Sequence, residues 1–245
     1  MTERHLERLT WKQFRNLVPS TTETVLLPIG TVEAHGPGPL GTDAIIPAYL
    51  AGRLAGPLEA LVAPTVTYGI TRSLIGFPGS LTVSQASFES YLLDIGLALS
   101  QAGFRRILMI NGHGGNNEAL KRVAEELWLR RRVRSAAVHW WLAAAELSQR
   151  HFGGSGHAGA DEIGAILAIE PALVRRKEHR ESDVGWKQPG IEPFPFPRAV
   201  ILAAKGKGRP QFDLARSKKF LEAVVRDLTG ILTETMKGWE QAADG

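Results

Sequence analysis

No cysteine occurs among the 245 residues. Disulfides, thiolate zinc sites and thiol nucleophiles are therefore excluded, and any metal ion must sit on His, Asp and Glu. No apolar run approaches the roughly 18 residues of a membrane span. The amino-terminal MTERHLERLTWKQF is charged and lacks the apolar core of a targeting segment. A cytoplasmic protein without a membrane partner is expected. Neither GxxxxGK[ST] nor GxGxxG is present, so the standard phosphate-loop signatures are missing. No Ser/Gly-rich or charge-rich linker, repeat or low-complexity tract divides the chain, which favours a single domain over 1–245.

What is present suits a folded core, with 44% hydrophobic and 22% charged residues, near the average for globular chains. The net charge of +4 includes a basic run, Arg130, Arg131, Arg132 and Arg134. This run follows an amphipathic helix, where cations complement the helix dipole. Without interleaved aromatics or a recognised motif, no nucleic-acid partner is expected.

Short apolar runs alternate with helical patterns, which predicts an α/β fold: a mainly parallel central sheet with helices on both faces. The candidate strands are Thr24 to Ile29, Ala60 to Val66, Arg106 to Ile110, Ala136 to Trp140 and Ala199 to Ala203. Ser84 should cap a helix that carries Phe88, Tyr91, Leu92, Ile95 and Leu99 on one face and ends at Gly103. Asn116 or Asn117 should open another, with Leu120, Val123, Leu127 and Trp128 inward. A third is marked by Ile163, Ile166 and Leu167 and closed by Pro171, and the last runs from about Asp213 to Met236. The segment Glu178 to Lys207, rich in proline and glycine, reads as an extended surface excursion.

In open α/β sheets ligands bind beyond the carboxyl ends of the strands, so polar groups placed there carry the functional signal. Three clusters qualify. Glu33, His35 and Asp43 lie in VEAHGPGPLGTD, with Asp43 either a ligand or the N-cap of the next helix. His113 lies in NGHGGNN, where glycines leave room beside the ring for something bulky and the following helix offers free N–H groups to an anion. His157 and Glu162 lie in SGHAGADEIGAI, with Asp161 serving the helix dipole. Taken together, Glu33, His35, Asp43, His113 and Glu162 supply five N/O ligands, a set suited to Zn, Mn or Fe. Two ions about 3.5–4 Å apart commonly share one carboxylate, and Asp43 is the candidate bridge. Trp140, Trp141 and Trp186 are candidate walls for a planar substrate, or core residues. The rival reading is a non-catalytic α/β module that holds an anion or nucleotide at the helix after NGHGG.

PIGTVEAHGPGPLGTD, GFRRILMINGHGGN and HAGADE resemble, in order and spacing, the motifs of the creatininase (creatinine amidohydrolase) family. PTVTYGI and FPGSLT resemble segments between the first two. The resemblance implies a creatininase-like fold, a binuclear Zn, Mn or Fe centre and a homo-oligomer, usually a hexamer. It also implies metal-dependent hydrolysis of a C–N bond in a small cyclic amide, formamide or short peptide. Glu33 and His113 would hold one ion, His35 the other, and Asp43 would bridge them. His157 would handle the proton of the leaving nitrogen, with Glu162 beside the second ion. Two departures stand out: the first motif is one residue short and lacks its second histidine, and Gly114 and Gly115 replace a tyrosine and a metal-binding glutamate. Glu162 then becomes the natural replacement ligand.

Overall fold

All six residues of Thr24–Ile29 (β1) are buried, with alternate side chains feeding two separate cores. Val25, Leu27 and Ile29 join Ile107 and Met109 on one face, while Leu26 joins Leu108 and Ile110 on the other. A strand covered on both faces cannot alternate apolar with polar residues, which is why the run is continuous in the sequence. The computed structural model describes residues 3–186, 188, 190, 191, 196 and 201–242, with backbone alone for 201–203.

The chain runs through α1 (Trp11–Leu17), β1, α2 (Thr42–Leu54), β2 (Leu61–Val62), α3 (Gln85–Gln101), β3 (Arg106–Asn111), α4 (Asn117–Arg131) and β4 (Arg134–His139). It continues with α5 (Trp140–Ala143), α6 (Ala145–Phe152), β5 (Gly156–His157), α7 (Ala160–Ile169), β6 (Val184–Trp186), β7 (Ile201–Ala203) and α8 (Leu214–Gln241). β2, β1, β3 and β4 form a parallel sheet in that order. Side chains of α2, α7 and α8 fill the core on one face. Those of α3 and α4 fill the other.

Several expectations are corrected. The run Ala60 to Val66 makes a ladder only at Leu61–Val62, because Pro64 has no N–H to give; Val66 then pairs separately with Ile29. β4 begins two residues earlier than expected, and Trp140 opens a helical turn instead of ending the strand. β7 lies outside the central sheet. It pairs antiparallel with β5 and parallel with β6 in a second, three-stranded sheet. An apolar run does not say which backbone it will pair with; of this expected strand, Ala199 and Val200 fall outside the described residues. The expected surface excursion therefore contributes β7, which pairs with β5 at His157, and β6 beyond it. Ser84 does cap α3, accepting from the Ser87 N–H, but Tyr91 is 58% exposed instead of inward. α8 runs on to Gln241, passing Gly238 without a break.

Candidate metal centre

β1 and β3 end side by side, and the loops leaving them carry the charged groups. Gly112 N–H bonds to Ile29 O, so the NGHGGNN turn starts directly beside the turn that leads to Glu33. A Cβ on Gly112 would stand 1.9 Å from Asp43 O, and one on Gly115 would stand 2.0 Å from Ile70 O. These two glycines make room for the protein's own backbone. All three line the cavity beside His113, but only Gly114 has space for a side chain, so the expected room beside the ring is found at one of the three positions.

Asp43 is in the first turn of α2, whose N-cap is Gly41, so it does not cap the helix. Its carboxylate instead faces two imidazoles, with Oδ2 2.8 Å from His113 Nδ1 and Oδ1 2.9 Å from His35 Nε2. Glu33 Oε1 lies 3.3 Å from both His113 Nδ1 and His157 Nδ1. Glu162 Oε2 lies 3.5 Å from His35 Nε2 and accepts the Ala158 N–H at 2.7 Å. Ala158 holds φ +50°, a left-handed conformation uncommon for alanine, at the turn joining His157 to the helix of Glu162. Two donor triads emerge, Glu33/Asp43/His113 and His35/Asp43/Glu162, and Asp43 is common to both. Within each triad the donor atoms lie within 4.8 Å of one another. A third group, Glu33/His35/His157, overlaps them.

Each histidine is oriented by a main-chain carbonyl, which can only accept. His35 Nδ1–H donates to Glu33 O at 3.1 Å, His113 Nε2–H to Ile70 O at 2.9 Å and His157 Nε2–H to Ala34 O at 2.9 Å. The remaining nitrogen of each ring, with its lone pair in the neutral form, is turned toward the carboxylates. That is the arrangement by which proteins prepare imidazole for a metal. His35 Nε2 and Asp43 Oδ1, though close, are not aligned as a hydrogen bond, and both are buried without a partner, as is Glu33 Oε1. Buried donors converging on one another without pairing fit a shared cation.

Without a metal ion, the carboxylates draw protons onto His35 and His113. Burial alone would push the His113 imidazole down, but the Glu33 charge and the Asp43 hydrogen bond hold it up at about 10. Burial likewise opposes the charge on His35, and the Asp43 and Glu162 carboxylates lift it well above the usual range. Burial would raise Glu33, yet the neighbouring His113 and His157 bring it below its ordinary value. Asp43 is lowered by His35 and His113 against the same burial penalty. Asp161 has no such partner; burial, reinforced by Glu162, pushes it up to about 8. It spends Oδ1 on the Gly156 N–H at 3.2 Å, holding the strand of His157.

Sequence reasoning missed the residues that hold these groups in place. The buried Thr71 hydroxyl donates to Glu33 Oε2. Asn111 donates to His113 O at 2.8 Å and accepts the His113 N–H at 3.1 Å. Asn116, expected as a possible cap, spends its amide on Gly30 O and the Ile70 N–H. Their signal was placement alone, as polar residues where strands give way to loops at this edge. A cavity of about 580 Å³ opens over the cluster, reaching Glu33, His113, His157, Glu162 and Trp141. Trp140 is fully buried in the core, and Trp186 packs under Arg209, so only Trp141 of the three candidate tryptophans reaches the cavity.

The family model for creatininase, described as creatinine amidohydrolase, matches residues 7–231. The chain belongs to the creatininase family. It is 36% identical over 176 residues to the mycofactocin precursor peptide peptidase of Mycolicibacterium smegmatis, spanning 69% of this chain and 65% of that protein. It is 31% identical over 202 residues to the peptidase of the same name from Mycobacterium tuberculosis, spanning 78% and 72%. Against the creatinine amidohydrolase of Pseudomonas putida it is 31% identical over 115 residues, 44% of each chain. A crystal structure of creatinine amidohydrolase superposes with a TM-score of 0.81 over 96% of this chain and 98% of the other, at 22% identity, and so supports the fold. Membership of this family supports a metal-dependent hydrolase over the binding-module reading. No helix among the described residues is long and apolar enough to cross a membrane.

Proposed function

We propose that this creatininase-family enzyme, a single domain over the whole chain, hydrolyses the C–N bond of a short peptide at a two-ion centre. In this reading Glu33 and His113 would hold one ion and His35 and Glu162 the other, with Asp43 available to both. The observation that carries it is the pair of buried triads sharing Asp43, with every histidine fixed from behind by a backbone carbonyl. Zinc, manganese or iron would suit the nitrogen and oxygen donors. When bound, such ions supply Lewis acidity and bring a water toward a pKa of about 7.

The chain's own groups do the rest. Glu162 borders the cavity and is held by the Ala158 N–H, so its carboxylate can take a proton from water at a defined place. His157 has Nε2–H committed to Ala34 O; Nδ1 is therefore the nitrogen that accepts a proton and returns it to the departing amine. Trp141 offers a flat wall to the substrate. Among cyclic amides, formamides and peptides, peptides are favoured. The relatives matched over most of this chain are named as peptide peptidases, whereas the creatinine amidohydrolase match spans 44%. Gly114 and Gly115 also stand where creatininases proper carry tyrosine and glutamate.

The test is an activity screen of metal-reconstituted protein against short peptides, cyclic amides and formamides. Peptide cleavage that disappears in His113→Ala together with bound metal supports the reading. Cleavage retained by metal-free protein would overturn it. A cytoplasmic location and a homo-oligomer, hexameric by family resemblance, complete the proposal.

A further inference from the structure

The basic run left unexplained by the catalytic site lies at the opposite end of the central sheet. Arg134 opens β4 and His139 closes it, five steps or about 16 Å apart. Here Arg105, Arg131, Arg132 and Arg134 surround a cavity of about 340 Å³ whose wall includes Trp128 and Val133. The helix dipole explains Arg131, in the last turn of α4. It does not explain Arg134, which belongs to a strand, or Arg105, which precedes another. Arg105 pairs with Glu23 at 2.9 Å, and Arg130 with Glu126 at 2.6 Å. Among the described residues, Arg131, Arg132 and Arg134 have no carboxylate within salt-bridge distance.

Two further observations point to a ligand. Arg132 sits at φ +52°, where glycine would be unstrained, and its guanidinium lies 5.2 Å from the centre of the Trp128 ring. Trp128, expected inward on α4, is instead 45% exposed at the end of its apolar face. On its other side lies a second cavity of about 530 Å³, bounded by Ala124, Trp128, Val133, Arg134, Trp239 and Ala242. The two cavities share Trp128, Val133 and Arg134 as a common wall, one side lined with guanidinium groups and the other with two indoles. A site with clustered cations beside a flat apolar slot matches a molecule that joins phosphates to a planar base.

We propose that this cleft binds a nucleoside diphosphate, with the phosphates among Arg131, Arg132 and Arg134 and the base against Trp128 and Trp239. The site does not rest on the hydrolase reading. Calorimetric titration of the full metal-loaded chain with ADP, adenosine and pyrophosphate tests it. ADP should saturate and bind at least tenfold more tightly than either fragment. Arg131→Ser with Arg134→Ser should weaken ADP and pyrophosphate at least tenfold while sparing adenosine. Trp128→Leu should weaken ADP and adenosine while sparing pyrophosphate, with Trp128→Phe used if the leucine variant fails to fold. Binding should survive in His113→Ala. The proposal is overturned if ADP does not saturate, if it binds no better than pyrophosphate, if its binding is lost with His113, or if an oligonucleotide binds more tightly than ADP.

Discussion

The two ends of the central sheet both collect charge, but they do so under different solvents. At the carboxyl end three carboxylates and three imidazoles sit at contact distance, mostly cut off from water. Each group there depends on its neighbours, because an unpaired buried charge is costly and the low local dielectric strengthens every interaction. At the amino end the charges are arginines, mostly exposed, and their pairs with Glu126 and Glu23 are screened by water. Ionisable residues therefore define a rigid site at one end and an adaptable surface at the other. Substitutions should separate the two ends by orders of magnitude.

The largest effect is expected from Asp43→Ala, which removes the carboxylate common to both triads. Metal content and hydrolysis should fall below detection together in elemental analysis and the peptide assay; full metal content in a folded variant would show that Asp43 is not shared. Gly112→Ala should come next, because its Cβ would overlap Asp43 O. A loss of about 3 kcal/mol or more is expected in urea unfolding, as the atoms in the way are backbone and cannot rotate aside.

Thr71→Val keeps the shape and deletes the hydrogen bond to Glu33. It should weaken metal affinity by roughly 10–100-fold, the usual effect of losing an outer partner of a ligand, with little change in fold. Unchanged affinity would make Thr71 a packing residue only.

Metal-free protein provides a pH test. His113 is held at about 10 in the fold against an ordinary value of 6.5, so it binds its proton more tightly folded than unfolded. Its stabilising contribution is complete below pH 6.5 and is lost between 6.5 and about 10. Asp161, raised from 3.8 to about 8, acts in the same direction over its own window. Urea midpoints of the metal-free chain should therefore fall from pH 6.5 to 9, and His113→Gln should flatten that fall. Metal binding should release protons in the same range, since ligand histidines must be neutral. The smallest effect belongs to the amino end: Glu126→Ala should cost less than about 0.5 kcal/mol, and less still in high salt.

Much of the architecture was legible because it is written in local patterns. Buried on both faces, β1 reads as an unbroken apolar run, and Ser84 precedes a helical period that its hydroxyl indeed caps. That the His, Glu and Asp of these turns would gather at one edge was also legible, since they follow apolar strands of a parallel sheet. The roles of Thr71, Asn111 and Asn116 were not. Thr71 and Asn116 bond to Glu33 and Gly30, 38 and 86 residues away, and nothing in their own neighbourhoods announces those partners; Asn111 bonds to His113 two residues on, a contact set by how the turn folds back. The placement of β7 was hidden for the same reason, as strand pairing joins distant backbone and leaves no local period.

Residue order alone determined the absence of thiol chemistry, the parallel α/β class and the set of nitrogen and oxygen donors available to a metal. Tertiary structure decided which atoms of those donors face one another. It placed Asp43 between two imidazoles instead of at a helix cap and used the glycines beside His113 to admit backbone. It also set four arginines around a tryptophan at the far end of the sheet. The division follows from range: periodicity and composition act over a few residues, whereas a site is made where strands of a parallel sheet, far apart in sequence, end together.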